Sequence, residues 1–354
     1  MRVVVAGDRG YIGAVLAPYL QRAGHDVRGL DSGLYEGCDF GSGPVPLGGR
    51  APADMRDVEP DELRGFDAVV CLAALSNDPL GHLNRDATYA VNLDGTLRLA
   101  AAAKAAGVER FLFSSSCSLY GAAGSAPVGE DAELAPVTPY GETKALAEQE
   151  LSKLADESFS PTYLRNATAY GASPRLRLDI VVNNLTGVAV TSGKVLLESD
   201  GSPWRPLVHV EDISEAFRTI LEAPRELMHD EAFNVGRSDD NVQVRQIAEL
   251  VRDAVPGSAL SFASGAGPDV RNYRVDFSKL TDTFPDLKLR WTVADGVAEL
   301  VAAYREHGLT FDEFGSSRFV RLRRIRELQA LGLVDGLLRR TNDDPFPEPA
   351  GAGA

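Results

Sequence analysis

The sequence predicts an α/β protein built on a doubly wound parallel sheet. Short apolar runs rich in β-branched residues, as at 2–6 and 66–72, are typical of buried parallel strands. A helical apolar pattern separates successive runs, as at 15–20. Strands that alternate with helices form a parallel sheet covered on both faces, and 354 residues suffice for one large domain or two coupled ones.

A glycine-rich turn follows the first predicted strand. Residues 7–13 place three glycines between that strand and a helical pattern that continues to Gly24. Glycine lets the backbone approach a pyrophosphate at the start of the helix, where amide donors and the helix dipole favour anions. The turn predicts a dinucleotide site. Its expected contacts are Gly7, Gly10, Tyr11, Ile12 and Gly13.

The second predicted strand, residues 25–30, ends in Asp31. A carboxylate at this distance from the glycine turn accepts the ribose hydroxyls of NAD and repels the 2′-phosphate of NADP. NAD is therefore the expected cofactor. Asp57, further along the chain, is predicted either to contact the adenine or to cap a helix.

Small residues follow the predicted strand at 66–72, at the edge where a doubly wound sheet places its ligand. Asn92 opens the next, Ala-rich helix and is expected beside the cofactor, where it holds neighbouring backbone in place. The strand exit adds three expected cofactor contacts, which are Leu72, Ala73 and Ala74.

Tyr140 and Lys144 are four residues apart in the stretch 138–144. On a helix this spacing stacks their side chains on one face. The ammonium then favours the phenolate of a tyrosine, whose free pKa is about 10. Such a phenol can exchange a proton at neutral pH. The pair is predicted to act as an acid–base unit.

A cluster of hydroxyl residues ends the predicted strand that begins at Phe111. At a carboxyl strand end these side chains face the ligand cleft. Ser116 is predicted to hydrogen-bond the substrate oxygen on which Tyr140 acts. Ser114 is assigned to the cofactor side of this cleft, and Cys117 and Ser118 to the substrate side.

Taken together, these motifs resemble the nucleotide-sugar epimerase/dehydratase family of extended short-chain dehydrogenase/reductases, over residues 1 to about 308. The resemblance implies a Rossmann-type doubly wound sheet with a smaller mixed α/β C-terminal substrate domain. It implies Ser116, Tyr140 and Lys144 as catalytic residues. Tyr140 and Lys144 would also contact the cofactor, since the family's lysine holds the nicotinamide ribose.

The same resemblance divides the chain. Residues 1–165 would form the NAD-binding domain, with the chain crossing back around 205–240, and residues 166–308 would mainly bind the nucleotide sugar. Residues 309–341 read as a basic amphipathic helical extension that docks on its own body or on a partner subunit. The tail at 342–354, rich in Pro, Gly and Asp, is predicted to be disordered.

Substrate contacts are also implied by resemblance. Asn184 matches an asparagine that binds the diphosphate, and Arg205 matches the phosphate arginine of an R-x-x-x-H-V-x-D stretch. Thr168 stands where relatives often carry Asn, and Arg274 is a second phosphate or ribose candidate. His209, in the stretch of Arg205, is expected to be packed as a structural residue.

The residues after Ser116 narrow the expected chemistry. The family's 4,6-dehydratases carry an Asp-Glu pair at the positions of Cys117 and Ser118, and epimerases that act beside the ketone carry Cys at 118. C4 epimerisation through a transient 4-keto sugar needs neither, so it is the simplest interpretation. A 4-ketoreductase, a 4,6-dehydratase or 3,5-epimerase, and a non-catalytic NAD-binding scaffold remain as alternatives.

Charge and composition limit the kinds of partner that this protein is expected to have. A net charge of −15 argues against general nucleic-acid and acidic-membrane surfaces, and three scattered cysteines suggest neither disulfides nor a metal site. No signal peptide or membrane span is expected, so the prediction is a cytoplasmic protein. The resemblance implies a homodimer through helices at 92–106 and 140–157.

Overall fold

A computed structural model describes residues 1–44, 47, 53–76, 84–121, 124, 126–267 and 272–350. Its centre is a six-stranded sheet in the order β10-β6-β4-β3-β1-β2, in which every neighbouring pair is parallel. The strands are β1 (Arg2–Ala6), β2 (Asp26–Leu30), β3 (Ala68–Cys71), β4 (Arg110–Ser116), β6 (Ser160–Asn166) and β10 (Glu231–Val235). The predicted doubly wound parallel sheet is confirmed.

Helices cover both faces of this sheet. Because side chains alternate along a strand, Val3 and Val5 of β1 face one apolar core and Val4 faces the other. The first core includes α1 (Gly13–Arg22) and α6 (Val210–Glu222). The second includes α3 (Thr96–Ala105) and α4 (Pro139–Ser152), and α3 is preceded by the short helix α2 (Arg85–Tyr89) and a π-helical turn (Ala90–Gly95).

A smaller mixed α/β unit follows β6. It has a three-stranded sheet of β7 (Thr168–Tyr170), β9 (Trp204–His209) and β11 (Asn241–Gln243), and the parallel pair β8 (Lys194–Ser199) and β12 (Ala259–Gly267). Its main helices are α5 (Val181–Ser192), α8 (Val244–Ala254) and α10 (Val293–Glu306). The remaining elements are β5 (Pro127–Val128), paired with β13 (Arg274–Val275), and the short helices α7 (Arg225–Met228) and α9 (Ser278–Thr283).

The chain crosses back into the main sheet after part of this smaller unit has formed. Strand β10 pairs in parallel with β6, from Glu231 beside Thr162 to Val235 beside Asn166. Strand β10 lies within the range 205–240 that was predicted for this crossing. Strand β9, in the same range, instead pairs with β7 and β11.

The C-terminal extension packs on its own chain. It contains α11 (Phe311–Phe314) and α12 (Arg321–Ala330). The described part of the tail differs from the predicted disorder. Phe346 is 7% exposed in an apolar cluster, and the Arg340 guanidinium lies 3.9 Å from the centre of its ring. Pro, Gly and Asp content favoured disorder, whereas the buried Phe346 ring and two hydrogen bonds hold the segment, from Arg324 to the Pro347 carbonyl oxygen at 2.7 Å and from the Ala350 nitrogen to Glu327 at 2.9 Å. Residues 351–354 lie outside the described residues.

The described helices are short compared with a membrane span. The longest α-helices, α4 and α10, have 14 residues each, and a span needs about 20. Within the described residues, no helix is long and apolar enough to cross a membrane.

Candidate active site

A cavity of about 840 Å³ opens at the carboxyl ends of the main-sheet strands. Residues that follow β1, β2, β3 and β4 line it, together with residues of α5, β8 and β9. This is the edge at which open parallel sheets bind ligands, and the volume suits a sizeable organic ligand. Of the predicted site residues, those that line it are Gly7, Gly10, Tyr11, Ile12, Gly13, Asp31, Leu72, Ala73, Ala74, Ser114, Ser116, Ser118, Tyr140, Lys144, Thr168, Asn184 and Arg205.

The glycine turn is closed too tightly for side chains at two of its positions. Gly7 has a φ of +88°, and a Cβ there would lie 2.8 Å from the Ala73 nitrogen. A Cβ on Gly13 would lie 2.0 Å from the Gly7 carbonyl oxygen. No side chain caps the start of α1 in the described structure. The turn thus presents bare backbone at a helix N-terminus, as a pyrophosphate requires.

Asp31 lies at the end of β2, beside this turn. Its carboxylate accepts a hydrogen bond from the Arg9 backbone nitrogen at 3.2 Å and one from the Gly33 backbone nitrogen at 2.7 Å. Burial raises the pKa of Asp31 above its ordinary value, and these backbone donors oppose the rise. The side chain is thereby held at the position predicted to meet the adenosine ribose.

Helix α4 brings Tyr140 and Lys144 to the cavity. Thr138 caps the helix by accepting a hydrogen bond from the Gly141 nitrogen at 3.2 Å, and proline occupies the first helical position. Lys144 is 2% exposed, and its Nζ donates to the Ser114 carbonyl oxygen at 2.6 Å. The Nζ lies 5.9 Å from the centre of the Tyr140 ring. Burial lowers the pKa of Lys144 from 10.5 to about 8.

Ser116 occupies the cavity side of the β4 exit. Its Oγ accepts a hydrogen bond from the Ser118 nitrogen at 3.1 Å and donates to the Ser118 Oγ at 3.0 Å. The first of these bonds caps the 3₁₀ turn at Cys117–Tyr120. Ser116 and Ser118 therefore form a local hydroxyl pair whose position is fixed by the turn.

A buried ion pair stabilises the strand exit from behind. The Arg165 guanidinium lies 2.7 Å from a Glu148 carboxylate oxygen, and both side chains are at most 8% exposed. Ser115 donates its hydroxyl to the same carboxylate, and Arg165 also donates to the Tyr120 hydroxyl at 2.9 Å. These contacts join β4, β6 and α4, so they fix the strand from which Ser114 and Ser116 reach the cavity.

Cys117 does not face the cavity, so its predicted substrate contact is corrected. It is 1% exposed, and its thiol donates to the Arg165 carbonyl oxygen at 3.1 Å. Burial raises its pKa far above the ordinary value of a thiol. A buried, protonated thiol turned away from the ligand cavity cannot act as a base on a bound substrate.

We expect a Cys117→Ala variant to keep kcat within about twofold of the wild type, because the thiol touches no reacting atom. Loss of a small buried side chain costs stability of the order of 1 kcal/mol. Initial rates of substrate turnover measure kcat, and urea unfolding measures stability. Cys38→Ala is the matched control, since Cys38 is also fully buried and donates to a backbone carbonyl. A tenfold fall in kcat for Cys117→Ala alone would contradict this assignment.

Two predicted cofactor contacts lie outside the cavity lining. The Asp57 carboxylate pairs with the Arg339 guanidinium at 2.7 Å, which corrects its assignment to the adenine. Asn92 is fully buried and binds both backbone polar groups of Leu75, the nitrogen at 2.8 Å and the carbonyl oxygen at 3.2 Å. Asn92 therefore supports the exit of β3, as expected of its backbone role, and does not contact the ligand cavity itself.

Of the predicted substrate contacts, Arg205 and Asn184 line the cavity, whereas Arg274 does not, which corrects its assignment to the phosphate or ribose. Arg274 lies against the Trp204 ring, with 4.7 Å from guanidinium carbon to ring centre, and its neighbour Tyr273 lines the cavity instead. Arg205 is 8% exposed and lines the cavity, with one nitrogen bonded to the Trp204 carbonyl oxygen at 2.8 Å. Asn184 also lines it and is fixed by its bond to the Leu178 carbonyl oxygen at 2.8 Å.

His209 is packed, in agreement with its predicted structural role. It is fully buried, its Nε2 lies 2.9 Å from a Glu299 carboxylate oxygen, and its ring stacks on Trp291 at 3.9 Å.

The sequence interpretation missed several residues that line the cavity. Asn166, at the end of β6, donates to the Ser114 hydroxyl at 3.0 Å. The sequence offered a hint for three of them. Arg177 and Asp179 stand a few residues before the predicted diphosphate contact Asn184, and Arg321 lies in the predicted basic helix. The lining residues that were not predicted include Tyr35, Ser76, Asn166, Arg177, Asp179, Tyr273, Arg321 and Leu338.

Comparison with known proteins agrees with this geometry. The model of the NAD-dependent epimerase/dehydratase family matches residues 3–236, which is more than half of the chain. The chain belongs to this family. Membership accounts for the glycine turn, the Ser116 exit and the Tyr140–Lys144 helix in one cavity, and it makes the protein NAD-dependent.

Several proteins of known name or structure are similar to this chain along most of their length. A UDP-glucose 4-epimerase of Bacillus subtilis is 29% identical over 327 residues, which cover 85% of this chain and 95% of that protein. MoeE5 in complex with UDP-glucuronic acid and NAD is 25% identical with a TM-score of 0.74 and covers 86% of this chain and 99% of its own. A UDP-glucose 4-epimerase of Thermus thermophilus in complex with NAD is 26% identical with a TM-score of 0.71, at the same coverage.

The residues present fit the cofactor of the epimerase/dehydratase family. The backbone cradle at Gly7 and Gly13 has no room for side chains and faces the cavity, as a bound pyrophosphate needs. Asp31 suits the adenosine ribose. Lys144 lines the same cavity and donates a hydrogen bond to the Ser114 carbonyl oxygen, at the exit of β4. These donors and acceptors match the two ends of a dinucleotide.

Proposed function

We propose that the protein is an NAD-dependent nucleotide-sugar epimerase that inverts C4 of a UDP-hexose through a transient 4-keto sugar. One observation carries the proposal. Ser116, Tyr140 and Lys144 line one cavity, while positions 117 and 118 hold a buried thiol and a serine instead of carboxylates. The site has the groups for oxidation and reduction of a carbinol and lacks, at those positions, the groups for elimination. The similar UDP-glucose 4-epimerases support UDP as the nucleotide.

Tyr140 is the acid–base residue of the proposed reaction. As phenolate it accepts the proton of the sugar 4-hydroxyl, and it returns a proton to that oxygen in the reverse direction. The Lys144 ammonium favours the phenolate, and Ser116 donates its hydroxyl to the same sugar oxygen. When bound, NAD supplies a reversible hydride acceptor at C4.

Rotation of the keto sugar between the two transfers gives the other epimer, so the anchor of the substrate must lie away from the ring. Arg205 and Asn184, which belong to β9 and α5 of the smaller unit and line the cavity, are suited to bind its diphosphate. A guanidinium makes two parallel hydrogen bonds to phosphate oxygens. In this proposal the diphosphate is held while the hexose is free to turn.

The experiment is to incubate the protein in heavy water, without added cofactor, with a panel of UDP-, dTDP-, GDP-, CDP- and ADP-sugars. Proton NMR follows each sugar. We expect one UDP-hexose to convert to its C4 epimer with no deuterium in the carbon skeleton, because the same hydride returns. Deuterium at C3 or C5, or a 4-keto-6-deoxy product, would contradict the mechanism and favour a 3,5-epimerase or a 4,6-dehydratase. In a parallel assay with added NADH, net consumption of that NADH would instead identify a ketoreductase.

A homodimer in the cytoplasm completes the proposal. The resemblance that implied helices 92–106 and 140–157 as the interface points to α3 and α4, which belong to the same face of the main sheet. Cytoplasmic location is supported by the need for nucleotide sugars and NAD. Sedimentation equilibrium distinguishes this dimer from a monomer.

A further inference from the structure

The C-terminal extension borders the cofactor half of the cavity. Arg321 and Leu338 of the extension are among the lining residues. Around them, the Arg340 guanidinium donates to the Ser32 carbonyl oxygen at 3.5 Å, and the Arg56 guanidinium donates to the Leu337 carbonyl oxygen at 2.8 Å. Ser32 directly follows Asp31, so the extension lies against the side of the cavity expected to hold adenosine.

An apolar cluster fixes the extension in this place. Ile325, Leu328 and Leu338 of the extension pack with Leu34, which follows β2, and with Leu75, which follows β3. All five are at most 8% exposed. Burial of several such side chains contributes about 1.5–3 kcal/mol each. The extension is therefore an integral wall of the cavity.

This wall carries a buried guanidinium with an unused donor. Arg321 is 3% exposed, its Nη2 donates to the Arg175 carbonyl oxygen at 3.0 Å, and its guanidinium lies 4.1 Å from the centre of the Tyr35 ring. Its Nη1 is buried and has no hydrogen-bond partner among the described residues. A buried charged donor left unpaired is costly, so this nitrogen is available to an anionic ligand in the cavity.

A second unused donor lines the same cavity. Arg177 is 6% exposed, with its Nε bonded to Asp179 at 2.8 Å and its Nη1 bonded to the Ser76 hydroxyl at 2.9 Å. Its Nη2 is buried without a hydrogen-bond partner in the described part of the chain. Arg321 and Arg177 interact electrostatically with each other and with Asp179. Asp179 forms an ion pair with Arg177 at 2.8 Å and interacts with Arg321 electrostatically, so the two guanidiniums are suited to a further anion.

The surroundings of the pair favour the cofactor as the source of that anion. Tyr35, beside Arg321, follows Asp31 along the chain, and Ser76, beside Arg177, follows the β3 exit at Ala73 and Ala74. Both neighbours belong to the cofactor half of the cavity. The side chains assigned to the substrate diphosphate come from different elements, α5 and β9.

We propose that the C-terminal extension completes the NAD site: Arg321, together with Arg177, binds the pyrophosphate of the cofactor. The extension thereby retains NAD and NADH between the two hydride transfers. The binding of the cofactor by Arg321 rests on the NAD dependence of the family. Only the benefit of retaining the cofactor rests on the proposed function. Arg321 is thus a cofactor ligand supplied from outside the region that the family model matches.

The test measures release of cofactor from the full-length protein. The protein is loaded with radiolabelled NAD, chased with excess unlabelled NAD, and sampled for retained label. We expect Arg321→Met to release label roughly 10- to 100-fold faster than the wild type, because a charge-assisted hydrogen bond to phosphate is lost. Arg326→Met, on the exposed face of the same helix, is the matched control and should release label at the wild-type rate.

Further measurements separate the possible outcomes. Calorimetric titration of cofactor-free protein with ADP-ribose and with UDP distinguishes the two diphosphates: we expect Arg321→Met to weaken only ADP-ribose. Weakening of UDP alone, or unchanged release of NAD, would overturn the proposal. If Arg321→Met does not fold, as judged by circular dichroism, Arg321→Lys decides. Lysine keeps the positive charge but cannot make the two parallel hydrogen bonds of a guanidinium, so we expect this variant to release NAD several-fold faster than the wild type. Absence of epimerisation with wild-type NAD retention would refute the proposed reaction and leave this inference intact.

Discussion

A Tyr140→Phe variant retains NAD and loses epimerisation, with kcat reduced roughly 100- to 10,000-fold, the usual contribution of a positioned acid–base group. The substitution removes only the hydroxyl oxygen that exchanges a proton with the sugar. Helix α4 is unaffected, because its N-terminal cap is the Thr138 side chain and its cavity anchor is Lys144. Rates by coupled assay and bound NAD by absorbance give the two readouts.

Tyr19→Phe is the matched control for this variant. Tyr19 lies on α1, donates to Glu215 at 2.7 Å and does not line the cavity, so its loss should leave kcat unchanged. Retention of more than a tenth of the wild-type kcat by Tyr140→Phe would show that another group moves the proton.

A Lys144→Met variant should lose activity and gain stability. The pKa of Lys144 is about 8 in the folded protein, below the usual 10.5, because burial disfavours its charge. Below pH 8 both folded and unfolded chains are protonated, so the cost of the buried charge is fully present. Between pH 8 and 10.5 only the unfolded chain holds the proton, so wild-type stability rises with pH. At pH 7, Met removes a cost of about 1–3 kcal/mol.

Urea unfolding of cofactor-free protein at pH 7 and pH 10 measures this gain. We expect Lys144→Met to be more stable than the wild type at pH 7, and the difference to shrink at pH 10. Its kcat should fall at least about 100-fold, because the phenolate of Tyr140 loses the adjacent ammonium. Lys153→Met, at an exposed position, is the control and should change neither quantity. Lower stability of Lys144→Met at pH 7 would contradict the linkage argument.

The catalytic side of the cavity could be predicted from the sequence because its signals are local. The glycine turn, the β4 exit and the spacing of Tyr140 and Lys144 each lie within a few residues. A parallel sheet then brings its strand ends to one edge without further information. The same reasoning predicted the doubly wound sheet, but it assigned Cys117 to the substrate side, whereas the structure directs that thiol to the Arg165 carbonyl oxygen.

The remaining contacts depend on residues far apart in sequence. Asp57 was predicted either to contact the adenine or to cap a helix, yet it pairs with Arg339, 282 residues away. Arg274 and Tyr273 are adjacent, and only the register of a two-residue strand decides which of them reaches the cavity. Arg321 reaches the cavity through the packing of an entire extension. No local pattern encodes such distances.

The position of β10 affects how the chain folds during synthesis and where it can be cut to exchange domains. Because β10 (Glu231–Val235) forms the outer strand beside β6, a fragment ending at residue 165 would expose an unpaired sheet edge. Open edges of this kind template aggregation. A nascent chain would keep that edge open until residue 235 leaves the ribosome, so exchange of cofactor modules between relatives should place the splice after β10, not at the apparent domain boundary.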